Sequence, residues 1–260
     1  MFKILKYSFY DLMRSRWSYV YFAFYSLLGV VLLFLNNDLS KAVITLMNVI
    51  IVLVPLIGTI FGIMYYYSNK EFTELLLAQP LKRSSIFLGQ YFGVALSLSM
   101  SLILGLGLPF LFYGLFKSDA IWDFSLLLVT GVFLTLIFTA LAFIIALSYE
   151  NKIKGFGYAI LLWLFLAIIY DGLFLLTLLF FEDYPLDKVS LLATLFNPID
   201  LSRTLILLKL DISALLGYTG AVFKQFFGTN FGLILSLSIL IIWVLVPVWR
   251  ISVKSQKKDF

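Results

Sequence analysis

The sequence predicts an all-α polytopic membrane protein with six transmembrane helices, and two features of its composition lead to that class. Of its 260 residues, 62% are hydrophobic and 13% are charged, whereas a soluble domain is nearer to half apolar and one quarter charged. The apolar residues lie in runs of about 20 or more, which is the length that crosses a bilayer as a helix. The chain has no histidine and no cysteine, so disulfides, histidine bases and thiol nucleophiles are excluded.

An amphipathic helix is predicted ahead of the first span. In residues 2–16 the apolar side chains recur at helical spacing and the basic ones fall between them, which is typical of a helix in the membrane interface. Six spans are predicted at residues 17–36, 42–67, 91–116, 124–148, 156–181 and 231–249. Pro55, Pro109 and Pro247 lie inside spans, so tilted or kinked helices are expected. Without an internal repeat or a linker, residues 1–260 should form a single membrane domain.

Lysine and arginine are divided unequally between the two sides of this topology. With both termini inside, the inner segments carry thirteen of the 19 basic residues and the outer segments carry six. Four of those six fall in the long outer segment 182–230, and long loops count for less in the positive-inside rule. Both termini are therefore predicted to be cytoplasmic.

Residues 68–90 are the longest polar interruption in the first half of the chain, and this topology makes them a cytoplasmic loop. Glu71 and Glu74 lie near the start of a short helix, where carboxylates suit the helix dipole. Pro80 ends that helix, because proline lacks a backbone donor and restricts the preceding residue. One helical face is predicted to hold Phe72, Leu75, Leu76 and Gln79. The segment is either a rigid docking surface for a soluble partner or an ordinary loop with solvated charges.

The loop sequence NKEFTELLLAQPLKRSSIFLGQYFG resembles the segment E-x-x-x-T-L-x-x-L-L-x-x-P-x-x-R-x-x-I-x-x-G-K of ABC-2 type transporter permeases. The matching positions are Glu71, Leu75, Leu76, Pro80, Arg83, Ile86 and Gly89. Glu74 stands where that family usually has a small residue or threonine, and Gln90 stands where lysine is common. In the family this loop contains the coupling helix, which sits on the nucleotide-binding subunit. The residues that the resemblance assigns to ATPase coupling are Glu71, Phe72, Glu74, Leu75, Leu76, Pro80 and Arg83.

Two later motifs, IIYDGLFLLTLL and LFNPIDLSRTLILL, resemble permeases of the nitrous oxide reductase maturation system (NosY type). Those permeases carry an aspartate in the fifth span and an N-P-x-D-x-x-R segment before the sixth. The corresponding residues are Asp171, Asn197, Pro198, Asp200 and Arg203. The resemblance implies a homodimer in the bacterial inner membrane, a cytoplasmic ATPase dimer that binds ATP and Mg, and a periplasmic NosD-like maturation protein that handles copper.

Asp171 lies a few residues past the middle of the predicted fifth span. A carboxylate at the centre of a span costs about 2.5–3.5 kcal/mol on insertion scales, so this one should face protein or water. It could be an ion or proton site or a polar hinge. Alternatively, it could form a helix–helix hydrogen bond with a nearby Ser, Thr, Tyr or Asn.

The stretch FNPIDLSR has the signature of a helix start. Asn197 suits the N-cap, Pro198 the first helical position and Asp200 the third. Asp200 and Arg203 are three residues apart and can pair. Because residues 182–230 are too many for a plain connector, helices are predicted there. They either contact a periplasmic partner, through Asn197, Pro198, Asp200 and Arg203, or brace the bundle.

Small residues recur at every fourth position in three spans. The sets are Gly58 and Gly62; Gly93, Ser97, Ser101 and Gly105; and Gly131, Thr135 and Thr139. Such spacing lets helix backbones approach closely. A polar stripe that lines a pore is the alternative.

No Walker A motif occurs in the sequence, so another subunit would hydrolyse any nucleotide. The chain is therefore expected to be a permease subunit and not an enzyme, without catalytic residues, metal ligands or a cofactor of its own. Membrane lipid is an expected partner and nucleic acid is not. Three alternatives remain: an ABC-2 exporter of lipid, drug, glycan or ion, an ion- or proton-coupled carrier that uses Asp171, and a passive membrane anchor.

Overall fold

The computed structural model describes residues 1–36, 38–118, 120–181, 187–209 and 230–257, and no strand occurs among them. The helices are α1 (Phe2–Arg14), α2 (Arg16–Leu35), α3 (Leu39–Ser68), α4 (Lys70–Leu77), α5 (Arg83–Phe112), α6 (Ile121–Ser148), α7 (Lys152–Leu164), α8 (Tyr170–Phe180), α9 (Asp187–Phe196), α10 (Pro198–Lys209) and α11 (Asn230–Lys257). A 3-10 turn occupies Leu115–Lys117, and a π-helical turn at Phe165–Ile169 joins α7 to α8.

Six helical units of the described residues are long and apolar enough to cross a membrane. They are α2, α3, α5, α6, the continuous unit α7–α8, and α11. The predicted all-α polytopic class is confirmed. Each of these helices begins before its predicted span. Helix α5 begins at Arg83 although its apolar run was placed from residue 91, and it ends at Phe112 instead of residue 116. The apolar run marks the part that suits hydrocarbon, whereas helical hydrogen bonds continue into the polar layer.

The centre of the bundle consists of α3, α5 and α6. In their most apolar windows 50%, 61% and 56% of the residues are buried inside the chain, against 17–22% in the other three spans. A helix that is apolar all round and packed on several sides belongs at the core of a bundle. The helices α2, α7–α8 and α11 surround this core and leave most of their surface outward.

Glycine allows the closest helix contacts. A Cβ added at Gly62 on α3 would lie 2.9 Å from the Cβ of Ala142 on α6. One added at Gly93 on α5 would lie 2.5 Å from the Cβ of Ser8 on α1. The hydroxyl-bearing members of the small-residue sets, Ser97, Ser101, Thr135 and Thr139, are buried. The packing interpretation of these sets is confirmed, because any larger side chain would separate the backbones.

Short polar segments lie at the two ends of the bundle. Because successive spans run in opposite directions, α1, α4, the turn 149–151 and the end of α11 share one end, called here the α4 end. At the other end, called the hairpin end, α9 and α10 are bent against each other by 115°. The stretch AVFKQFFG of the predicted outer segment lies outside the described residues.

The α9–α10 hairpin is built into the core of the hairpin end. Ile199, Leu201 and Leu205 of α10 are at most 3% exposed and belong to the same apolar cluster as Leu46 of α3 and Phe138 of α6. A second cluster at the α4 end joins α3, α5 and α6 through aromatic residues that include Tyr66, Phe87, Tyr91 and Phe143. The hairpin is therefore held by close packing of buried apolar side chains against the spans.

Candidate functional site

The predicted site residues divide between the two ends of the bundle. Those assigned to ATPase coupling lie on α4, in the turn after it and at the first residue of α5. Asp171 lies on α8, and the residues of the N-P-x-D-x-x-R motif lie where α9 meets α10. The structure thus brings Asp171 and the N-P-x-D-x-x-R motif together in one cluster at the hairpin end and keeps the loop motif separate.

One side of α4 is fixed to the bundle. Thr73 is 4% exposed, and its Oγ1 accepts a hydrogen bond from Nε2 of Gln90 on α5 at 2.8 Å. The same hydroxyl donates to the backbone oxygen of Asn69 at 2.8 Å. Phe72 stacks on Tyr7 of α1 with ring centroids 4.7 Å apart. These contacts join α4 to both α1 and α5.

The opposite side of α4 is exposed. Glu71, Glu74 and Leu75 point away from the bundle, and Leu75 is 69% exposed. Leu75 follows Phe72 by three residues, so the two lie on one helical face as predicted, but Phe72 is half-buried whereas Leu75 is exposed. The buried side is centred on Thr73, and two residues on a helix turn the side chain by about 200°. The Lys70–Glu74 pair at 3.8 Å is half exposed on both sides, and such pairs contribute little stability.

The remaining coupling residues differ in exposure. Leu76 is half-buried, whereas Pro80 and Arg83 are exposed. The helix itself ends at Leu77, and the N–H of Ala78 still donates to the oxygen of Glu74 at 3.1 Å. Pro80 therefore lies in the turn that prevents α4 from merging with α5.

Asn197 starts α10 as predicted. Its Oδ1 accepts a hydrogen bond from the N–H of Ile199 at 3.1 Å, and Pro198 is the first helical residue. The Nδ2 of Asn197 donates to Oδ2 of Asp200 at 2.9 Å and to the backbone oxygen of Leu166 at 2.8 Å. Leu166 belongs to the π-helical turn, a geometry frequent at functional sites. One fully buried side chain thus begins α10 and ties it to the α7–α8 unit.

Arg203 lies between two carboxylates. Its Nη1 is 2.6 Å from Oδ2 of Asp171 and 3.3 Å from Oδ1 of Asp200. The predicted pairing of Asp200 with Arg203 is confirmed, whereas the partner of Asp171 is an arginine and not the Ser, Thr, Tyr or Asn that was expected. The side chains of Arg203 and Asp171 are 31% and 28% exposed, and that of Asp200 is 14% exposed. The Asp171–Arg203 pair is therefore only partly covered by the rest of the chain.

Two further side chains hold the last turn of α9. The hydroxyl of Tyr170 on α8 donates to the oxygen of Ala193 at 2.7 Å, and Nε1 of Trp243 on α11 donates to the oxygen of Leu195 at 3.1 Å. The last carbonyls of a helix have no partner within it, and hydrocarbon offers them none. Side chains from two spans therefore supply the donors that let α9 end inside the bundle.

Several of these contacts involve residues that sequence reasoning missed. Thr73, Tyr7, Tyr170 and Trp243 have no motif of their own. Gln90 was noticed only because lysine is common at its position in the related permeases. Asn197 and Pro198 are buried within this chain, so their side chains leave no surface for a periplasmic partner.

The described residues form no carboxylate-rich metal site at either end of the bundle. Over residues 1–36, 38–118, 120–181, 187–209 and 230–257, no group of three or more His, Cys, Asp or Glu side chains could hold a metal ion. The cluster of Asp171, Asp200 and Arg203 instead forms ion pairs that join α8 to α10.

Six apolar spans and polar segments at both ends define a polytopic membrane protein, and comparison with known proteins narrows the class. The chain is 23% identical over 209 residues to a protein of Stutzerimonas stutzeri named probable ABC transporter permease protein NosY, covering 74% of this chain and 76% of that protein. It is 24% identical over 220 residues to the protein of the same name from Pseudomonas aeruginosa, covering 78% and 80%. No protein-family model matches the chain.

These matches confirm the resemblance to NosY-type permeases as a distant relationship. With the six apolar helices, they support an ABC transporter permease subunit that crosses the membrane several times. The similarity to permeases favours a membrane subunit over an enzyme as the class of this protein.

Proposed function

We propose that this chain couples ATP hydrolysis by a separate cytoplasmic ATPase to movement at the opposite face of the membrane. The ATPase binds ATP and Mg, and it docks on the exposed side of α4. The observation that carries this proposal is the division of α4 into a fixed side and a free side. Thr73 and Phe72 are held by α5 and α1, whereas Glu71, Glu74 and Leu75 point outward.

The fixed side of α4 offers a path for force. A push on Leu75 would reach α5 through the Thr73–Gln90 hydrogen bond and α1 through the Phe72–Tyr7 stack. Helix α5 packs against α1, α2, α6 and α11 and runs to the hairpin end. Packed helices transmit displacement by small sliding movements. The proposed coupling therefore passes through α5.

At the hairpin end, the Asp171–Arg203 pair and the Asn197–Leu166 hydrogen bond join the hairpin to α7–α8. A movement of α7–α8 would therefore displace α10 as well. On the proposed orientation, with both termini cytoplasmic, this end is periplasmic. Conformational change at this end is the output of the complex.

The incomplete burial of the ion pair favours a homodimer. Asp171 and Arg203 remain about 30% exposed at a depth where a charge facing lipid is costly. A second copy of the chain against α8 would exclude lipid from this pair. The homodimer would also give each chain of an ATPase dimer its own α4.

Maturation of the copper site of nitrous oxide reductase is the proposed role of the complex in the bacterial inner membrane. It is supported by similarity to proteins named NosY and by the motif residues around Asp171. A NosD-like periplasmic protein is the proposed outer partner. An ABC-2 exporter of lipid, drug, glycan or ion is the alternative. The carrier hypothesis loses its motive, because Asp171 is paired with Arg203 and is not a lone carboxylate.

Co-purification with an ABC ATPase of the native host tests the docking site. Leu75→Glu should weaken ATPase binding roughly tenfold or more, because a charge without a partner in an apolar contact costs above about 1.4 kcal/mol. Ile153→Glu is the matched control, since Ile153 is 82% exposed at the same end but lies outside α4. Equal ATPase binding by both variants would refute the docking site.

Removal of the gene from its native host tests the maturation role. Nitrous oxide reductase should then accumulate with too little copper, and the wild-type gene should restore the metal content. If the enzyme is fully loaded without this chain, the exporter alternative replaces the maturation role. The ATPase docking result stands in either case.

A further inference from the structure

We propose that α1 carries a binding site for the headgroup of an acidic phospholipid, formed by Lys3, Lys6, Tyr10 and Arg14. The inference comes from the three faces of α1 and does not depend on ATPase docking at α4.

The first face of α1 fixes the helix to the bundle. Ile4, Ser8 and Leu12 are at most 9% exposed, and they recur every fourth residue on one side of the helix. This side lies against Gly89 and Gly93 of α5, where an added Cβ would be 3.0 Å from Ile4 and 2.5 Å from Ser8. Such close backbone contact holds α1 in one orientation, so the directions of its other faces are fixed.

The second face is a basic groove. Its volume is about 740 Å³, and it is lined by Lys3, Lys6, Tyr7, Tyr10, Asp11 and Arg14. Three cations face one carboxylate. Within the described part of the chain none of the three cations forms an ion pair. Ammonium, guanidinium and phenol groups are all donors, so the groove is complementary to a phosphate.

The third face is apolar and lies beside the basic one. Phe2 is 80% exposed, and Phe9 and Met13 follow it on the same side of the helix, partly exposed. Lys6 stands at the border of this face, because it follows Phe2 by four residues and precedes Phe9 by three. An occupant that meets both faces has a phosphate and an acyl chain together. This combination favours a phospholipid over an acidic protein surface.

The start of α2 places the groove at headgroup level. Trp17 and Tyr19 are 55% and 67% exposed just after α1, and these residue types concentrate at the membrane–water boundary. Basic clusters on amphipathic helices at that level attract anionic lipids. The groove also adjoins α4, since Tyr7 at its edge stacks on Phe72. Lipid bound there would lie next to the proposed ATPase contact.

The test uses native mass spectrometry of the purified full chain in mixed phosphatidylcholine and phosphatidylglycerol. The groove variant is Lys3→Gln, Lys6→Gln and Arg14→Gln together. Wild type should retain phosphatidylglycerol in preference, and the variant should bind it about 100-fold more weakly, at roughly fivefold per cation. If the triple variant does not fold, Lys6→Gln and Arg14→Gln singly should each give the fivefold effect.

The matched control removes three exposed cations from the same end of the bundle, outside the groove: Lys152→Gln, Lys154→Gln and Lys257→Gln. The control should keep lipid affinity within about twofold of wild type, because screening limits attraction beyond a Debye length. Equal losses in both triple variants would mean general attraction to the surface and would overturn the site. If the groove variant loses ATPase binding while its lipid binding is unchanged, the groove is a protein contact, and the proposed lipid site is overturned as well.

Inorganic phosphate separates the headgroup from a free anion. Phosphate at millimolar concentration should not displace bound phosphatidylglycerol, because it lacks the chains that contact Phe2 and Phe9. Displacement at that concentration would overturn the lipid assignment in favour of a free-anion site.

Discussion

The α4 helix and the α9–α10 hairpin both carry charges at the ends of the same bundle, but they place those charges in opposite surroundings. Glu71 and Glu74 of α4 remain exposed. Asp200 and Arg203 of the hairpin turn inward, toward each other and toward Asp171. A charge in water needs no partner within the chain, whereas a charge at membrane depth does. The α4 surface is thus available to another molecule, and the hairpin surface is largely used by the chain itself.

This difference predicts where substitutions affect stability and where they affect coupling. In the hairpin they should lower the free energy of unfolding. On the exposed side of α4 they should leave that free energy unchanged and alter the response of the ATPase.

The largest loss of stability is expected for Arg203→Ala. It removes the partner of Asp171 and of Asp200, and breaking such a pair costs about 3–5 kcal/mol when it is fully buried. Because Arg203 is 31% exposed, we expect about 2–3 kcal/mol, measured by reversible unfolding in detergent. The double variant Arg203→Ala with Asp171→Ala should lose less than the sum of the single losses. Additive losses would contradict the pairing.

Asn197→Ala should have the next largest effect. It removes the N-cap of α10, worth about 1 kcal/mol, and it removes the amide donor that contacts the Leu166 oxygen and Oδ2 of Asp200. The same unfolding measurement should show a loss of about 1–3 kcal/mol. Asn197→Ser is the control that retains a capping oxygen and lacks the amide donor. If both variants are as stable as wild type, the hairpin does not depend on this side chain.

A smaller loss is expected for Gln90→Leu on the fixed side of α4. The variant removes the hydrogen bond to Thr73 but also removes the Oε1 of Gln90, which has no partner within the described residues. The net loss should be about 0.5–1 kcal/mol. Stimulation of ATPase activity should fall although the ATPase still co-purifies. Normal stimulation would exclude this hydrogen bond from the proposed path.

The smallest change in stability is expected for Glu71→Gln with Glu74→Gln. Exposed substitutions of this kind stay within about 0.5 kcal/mol. ATPase binding should nevertheless weaken and become less sensitive to salt, because exposed charges attract a partner through a screened field. The slope of ATPase affinity against salt concentration is measured by titrating the complex between roughly 50 and 500 mM salt. This range brackets the ionic strength near 0.1 M at which the Debye length is about 10 Å. An unchanged slope would remove the two carboxylates from the contact.

Local patterns predicted much of the fold and one part of the site. The apolar runs predicted six spans because crossing a bilayer requires that length of helix. Asn197, Pro198 and Asp200 were placed correctly at a helix start because capping depends on neighbours three residues away or fewer. The local pattern left the burial of Leu75 open, because α4 has apolar residues on both sides and only packing decides which side is buried.

The sequence by itself determined the class of protein, its helices and the start of α10, since all of these depend on composition or on contacts within a helical turn. Only the tertiary structure decided that Arg203 neutralises Asp171, that Gln90 holds Thr73 and that Trp243 caps α9. These partners are 32, 17 and 48 residues apart along the chain. Their meeting depends on how the spans pack, and helix packing in a membrane rests on shape and hydrogen bonding between segments that no local pattern encodes.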